Sequence, residues 1–176
     1  SNIAVNGEGV LKLLWTLGFQ KTDMLWYLTQ VRKNQAKESM PTDTPMGLLY
    51  TPDLSAAPPQ PSLSLSTVYE RMGWSVMRTS WEKNTTLLGV KCGHTWNHSN
   101  ADAGSFILFH NGQQVIKDGG NCWYPNPWYR EYFFHSQAHN VLLFNGQAQP
   151  QEQQYKGSML DGSFHHLTDE GNIKHI

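Results

Sequence analysis

His98, Asn100 and Asp102 stand two residues apart in the stretch "NHSNADAGSF", just before an apolar run. In extended backbone alternate side chains leave on the same side, so this spacing sends an imidazole, an amide and a carboxylate one way. Farther on, Asp118 closes "QQVIKD" and His139 opens "AHNVLLF". Strand ends carrying His, Asp and His can converge at one rim of a sheet. Such groups suit acid–base work or a divalent ion, zinc before others. A plainer reading stands beside this one. Asp102-Ala103-Gly104 also makes a good turn, with the aspartate bonding its own backbone, and His139-Asn140 can serve only to satisfy buried amides.

The elements that must position these residues change character along the chain. "GVLKLLWTLG" places Val10, Leu11, Leu14, Trp15 and Leu17 at helical spacing, with Gly18 as the stop. A second helix follows in "TDMLWYLTQVRKNQAKE", with Leu25, Leu28 and Val31 on one face and Asp23 as N-cap. These stripes read as packing surfaces without chemistry. The next stretch, "MPTDTPMGLLYTPDLSAAPPQPS", holds six of the nine prolines. Proline removes a backbone donor and fixes φ, so this segment reads as an extended connector ending near Pro61. Residues 1–60 then form a helical segment with its linker, and residues 61–176 a second domain.

In that second domain the period falls to two. "WSVMRTS", "TLLGVKC", "HNVLLFNG", "SFHHLTD" and the terminal "IKHI" read as strands. "SFILFHNGQQVIKD" carries Asn111-Gly112 between two apolar runs, a strong hairpin signal. Many short strands with polar turns predict a mainly β fold, an antiparallel β-sandwich. "GQAQPQEQQ" reads as a solvated loop.

The composition sets limits on function. The chain has 176 residues, 39% hydrophobic, 12% aromatic and only 15% charged, with a net charge of −1. No basic footprint for nucleic acid or for a membrane surface is present. No apolar run approaches the roughly 18 residues of a membrane span. A surface rich in amides, hydroxyls and aromatics fits a periplasmic or extracellular, carbohydrate-handling protein. Cys92 and Cys122 show no CxxC spacing; pairing in an oxidising compartment and two buried free thiols are both open readings, and their spacing does not demand a bridge. Ser1-Asn2 looks like a tag remnant, and the C-terminal strand looks cut.

Taken together, "LLGVKCGHTWNHSNADAGSFILFHNGQQVIKDGG" and "YREYFFHSQAHNVLLFNGQAQ" resemble the heparinase II/III-like family of polysaccharide lyases. The β-domain of that family has a His-x-His-x-Asp segment entering a strand, an Asp-Gly turn, and an Ala-His-Asn segment opening another strand. The resemblance runs from about Val68 to Gln149 and includes "GWSVMRTSW" as an entry strand. It implies that the helices and linker are the tail of an α-helical toroid that precedes the β-domain. It implies a catalytic role for His98, in a cleft facing the toroid. It also implies a metal set of Asp118, His139 and the motif's second histidine, which here is Asn100. An amide is a poor zinc ligand, so a zinc or calcium ion is expected to bind weakly or not at all.

Lyases of this kind act on acidic polysaccharides, the uronans, by β-elimination. The uronate carboxylate must be neutralised, the C5 proton removed and the leaving oxygen protonated. The resemblance puts the tyrosine that serves as base or acid on the toroid, so the chain alone is expected to be inactive. Tyr124 and Arg130 in "NCWYPNPWYREYF" are candidates for binding the sugar and its acid group, and plain packing under a loop is the competing reading for each. A non-catalytic module is the alternative class, with Trp123, Trp128 and Tyr129 stacking on sugar rings. A cupin-like oxygenase fits less well, because Asn100 breaks the ligand set.

Overall fold

The computed structural model describes residues 8–35, 50, 52–93, 100–150, 162–165, 167–170 and 173–175. Residues 2–63 and 64–176 form two separate compact units.

In the first unit, α1 spans Glu8–Thr16 and α2 spans Thr22–Gln35. The end of α1 is set by Gly18 at φ 97°, a left-handed conformation that costs glycine little. With Gly18 there, the Phe19 N–H reaches Leu14 O at 3.0 Å and the Gly18 N–H reaches Trp15 O at 3.1 Å. This pair of bonds closes the last turn of the helix. Leu25 and Leu28 are buried as expected, but Val10 and Leu17 are exposed. The Glu8–Lys12 row of α1 is buried instead, and the two side chains neutralise each other at 2.6 Å. Asp23 is not an N-cap. It lies within α2, and its carboxylate accepts from the Ser62 N–H at 2.6 Å and the Ser62 hydroxyl at 2.8 Å. A partner 39 residues away wins over local capping.

The second unit is mainly β and antiparallel. Strands β1 (Ser66–Tyr69), β2 (Trp74–Arg78), β3 (Thr86–Lys91), β4 (Ser105–His110) and β5 (Gln113–Ile116) form one five-stranded sheet in chain order. Asn111 at φ 50° and Gly112 at φ 73° make the turn between β4 and β5, both central residues being left-handed as the twist of a hairpin requires. A separate hairpin pairs β6 (Thr168–Glu170) with β7 (Ile173–His175). At the end of β2 and β3 the backbones nearly touch. A Cβ on Gly73 would lie 2.3 Å from Gly93 Cα, so only glycine fits there.

Two expected strands differ. Residues 139–143 are irregular, and Phe144 makes only a single bridge with Gln147. The alternating pattern is present, but a strand needs a neighbour, and among the described residues none lies alongside. In its place the Asn140 side-chain amide donates to Phe106 O at 2.8 Å and to Lys117 O at 3.0 Å, tying the segment to β4. Among the described residues of "SFHHLTD", strand structure begins at Thr168. Of "GQAQPQEQQ", residues 146–150 are described and include a half-buried Gln149 bonded to Ala103, so this part is not simply a solvated loop, and residues 151–154 lie outside the described residues.

Candidate functional site

Asp118 follows β5 and enters Gly119-Gly120, and His139 follows a single 3₁₀ turn, Ser136–Ala138. The chain brings them together. His139 Nδ1 lies 2.7 Å from Asp118 Oδ2, and its Nε2 lies 3.0 Å from Phe133 O. A carbonyl only accepts, so Nε2 carries a hydrogen, and we assign the proton shared with Asp118 to Nδ1, which makes the ring an imidazolium beside a carboxylate. Burial by itself would lower the His139 pKa, but the Asp118 hydrogen bond and charge, with Asp102 and Phe133 adding, hold it above the ordinary histidine value. Burial likewise pushes Asp118 up, yet its bonds from His139 and Gly120 and the positive charges of His139 and Lys91 hold it below the usual aspartate value. The second Asp118 oxygen accepts the Gly120 N–H at 2.8 Å. The approach is close enough that a Cβ on Gly119 would fall 2.4 Å from Ala138 O. That contact explains a glycine directly after the aspartate.

Asp102 sits in a turn, as the plainer reading had it, with the Ser105 N–H on Asp102 O at 3.0 Å and Gly104 at φ 83°. Its carboxylate, however, does not bond its own backbone. It forms an ion pair with Lys91, which stands opposite Ser105 in the β3–β4 register. Lys91, Asp102 and Asp118 border a groove of about 350 Å³ whose apolar walls include Trp74, Phe106 and Ile107.

His98 lies outside the described residues, but the chain that follows it is fixed closely. The Ala101 N–H donates to Phe134 O at 3.0 Å, and the fully buried Ser136 hydroxyl donates to Ala101 O at 2.7 Å. The Gln149 amide then grips Ala103 at both backbone groups, at 3.0 Å and 2.6 Å, as a neighbouring strand would. The Gln149 N–H itself donates to Ser136 Oγ at 3.0 Å. Sequence reasoning missed Lys91, Ser136 and Gln149. Their partners are distant in sequence, and only Asn140, inside the Ala-His-Asn segment, carried a local signal.

Of the substrate-binding candidates, Tyr124 lies in the loop before a π-helical turn, Tyr129–Phe133, and Arg130 lies within that turn. Tyr124 is half-buried and packs edge-on against Tyr129 at 4.7 Å, while Arg130 is exposed. Tyr129 is 1% exposed and packs on Phe134 at 5.8 Å, so it cannot stack on a sugar. Trp123 and Trp128 face solvent.

Asn100, Asp118 and His139 do not fit a zinc ion in this arrangement. Asn100 is half-buried at the start of the fixed segment. Two ligands of one tetrahedral zinc, each about 2.0–2.2 Å from the ion, stand roughly 3.3 Å apart. The 2.7 Å gap between His139 and Asp118 is narrower, and the other ring nitrogen is engaged by Phe133 O. Among the described residues no group of three His, Cys, Asp or Glu side chains could hold a metal, and no helix is long and apolar enough to cross a membrane.

The family model described as "Heparinase II/III-like, C-terminal" matches residues 62–173. A crystal structure of a heparan sulfate lyase HepC mutant from Pedobacter heparinus is 18% identical, covering 81% of this chain and 19% of its own, with a TM-score of 0.53. A heparinase III gene product is also 18% identical, covering 88% of this chain and 23% of its own, with a TM-score of 0.50. The chain thus spans about a fifth of the length of these structures. At such identity the likeness is one of fold. No curated protein matches the chain.

Proposed function

We propose, from the premise that this chain belongs to the heparinase II/III-like family, that it is the β-domain part of a polysaccharide lyase acting on a uronan outside the cytoplasm. Residues 1–60 are then the end of a helical toroid that carries the tyrosine of the reaction. In the elimination, a base takes the C5 proton, the C4–O bond breaks as the C4=C5 bond forms, and an acid protonates the departing oxygen. His98 neutralises the uronate carboxylate or shares in the proton transfer, and Tyr124 and Arg130 meet the sugar and its acid group. Acid strength at C5 is the obstacle, because deprotonation adds negative charge beside an anion. A cationic or hydrogen-bonding group at the carboxylate is therefore the main requirement.

The observation that supports this reading best is the fixing of Ala101–Ala103, just beyond His98, by Phe134, Ser136 and Gln149. A group that must meet a carboxylate within a few tenths of an ångström needs such an anchored neighbour. No metal is given a step. Asp118 and His139 act as a proton-bridged clasp that holds the Asp-Gly-Gly turn against the 133–139 segment.

The test is to incubate the polypeptide joined to its toroid with a panel of uronans and to follow the ultraviolet absorbance of the unsaturated product. Product from one or more uronans supports the reading, and none from any of them refutes it. A second reading, a glycan-binding module without catalysis, is favoured by one observation, the exposure of Trp123 and Trp128. It predicts glycan binding without product from the joined protein.

A further inference from the structure

We propose that Trp123 and Trp128 form a preorganised stacking platform for the pyranose rings of an acidic glycan. Both indoles stand in water, Trp123 77% and Trp128 61% exposed. Asn126 clamps both backbones. Its N–H donates to Trp123 O at 2.9 Å, its side-chain oxygen accepts the Trp128 N–H at 3.0 Å, and its carbonyl accepts the Tyr129 N–H at 2.9 Å. Pro125 and Pro127 flank Asn126 and fix φ on either side, and Pro127 occupies the first helical position, where its missing N–H costs nothing. Beneath the loop, buried Tyr129 packs against Tyr124 and Phe134. The backbones that carry the two rings are therefore fixed before any ligand arrives, which reduces the ordering cost of binding.

The surroundings select the occupant. Asn121, Asn126, Arg130 and Glu131, neighbours of the indoles along the chain, are all exposed, so polar groups are interspersed with the apolar ones in this stretch. A protein or lipid partner would leave those polar groups desolvated. A pyranose has an apolar C–H face and a hydroxyl rim, and suits flat indoles set among amides. Beside Trp123 lies a cavity of about 370 Å³, lined by Asn121, Cys122, Trp123 and Tyr124, with room on the scale of one sugar residue. Arg130 adds a cation for a uronate or sulfate group. The choice of an acidic glycan rests on the lyase reading above. The stacking geometry does not.

The experiment is calorimetric titration of the 176-residue chain with a heparan sulfate hexasaccharide, alongside Trp123→Ala, Trp128→Ala and the double variant. Saturable binding is expected, weakened about tenfold by each lost ring, the scale of one stacking contact. Trp→Phe at either position should recover part of the loss, and melting temperatures should not move, since both rings are exposed. Absence of saturable binding, or equal affinity in the double variant, overturns the platform. So does sedimentation showing that the two rings join copies of the chain. Product formation by the joined protein keeps the two claims apart. A platform confirmed without product sinks the lyase reading alone, and product with unchanged binding in the double variant sinks the platform alone.

Discussion

Replacing Asp118 by Asn should destabilise the β unit in a manner that depends on pH. Asp118 accepts at both oxygens, from His139 on one and from the Gly120 N–H on the other. An amide has one accepting end, so in Asp118→Asn one donor must face an NH₂ group. His139 also loses its counter-charge while its side chain is only 1% exposed. Removing a hydrogen bond to a charged group costs about 1.5–3 kcal/mol. Asp118 keeps 33% of its side chain in water, where solvent screens the pair, so about 1–2 kcal/mol is the expected loss. For a chain of this size that lowers Tm by roughly 2–8 °C. The pH dependence follows from the two shifts. His139 is raised above 6.5, so its contribution is full below that value and is lost as pH climbs through the folded pKa. Asp118 is depressed below 3.8, so its contribution is full above that value and is lost as pH falls through the folded pKa. The Tm difference between parent and variant should therefore be largest from about pH 4 to 6.5 and shrink on both sides. The assay is thermal unfolding by circular dichroism from pH 3 to pH 9. A difference that stays constant across that range would refute the imidazolium assignment, as would nitrogen NMR showing a neutral His139 ring at pH 6.

In the toroid-joined protein, His98→Ala should lower turnover by about a hundredfold or more, the usual scale for a lost acid–base or charge-stabilising group. An unchanged rate with normal folding would reduce His98 to a structural residue. Cys92 and Cys122 stand as separate thiols, so reductant should leave Tm where it was, whereas a drop worth a few kcal/mol would reveal a native bridge. Zinc retained after dialysis should be near zero for the chain as it is and should rise in Asn100→His, where a second imidazole lets a metal displace the bridging proton. No gain in that variant would mean that position 100 does not face the clasp.

Much of the fold was legible where a local rule decides it. Asn111-Gly112 specified its hairpin because few residues accept two successive left-handed conformations, and Gly18 ended α1 for the same reason. The pairing of Asp118 with His139 was also readable, as a family pattern, although spacing alone left it open. What stayed hidden depends on partners far along the chain. Nothing near Gln149 announces a grip on Ala103, and nothing near Asp23 announces Ser62. "HNVLLF" has the alternation of a strand, but alternation does not supply a neighbour. Among the aromatics, composition could not sort the buried Tyr129 from the solvent-facing Trp123 and Trp128 one to six residues away. The Asn-Pro cap that turns the chain between them sorts them.

The order of the five-stranded sheet has a consequence for the timing of assembly. Each strand pairs with its immediate successor, so the sheet grows from short loop closures and can form early. The bonds that fix Ala101–Ala103 are of another kind, since Ser136 reaches back 35 residues and Gln149 reaches back 46. Closing those longer loops costs more chain entropy and is rewarded only once the sheet end is in place. The site is then the last part of the unit to be completed and the first to open under mild denaturation. Slow exchange of backbone amides in β2, β3 and β4 should thus outlast protection at Ala101 and Ala103, and loss of function should precede loss of the fold.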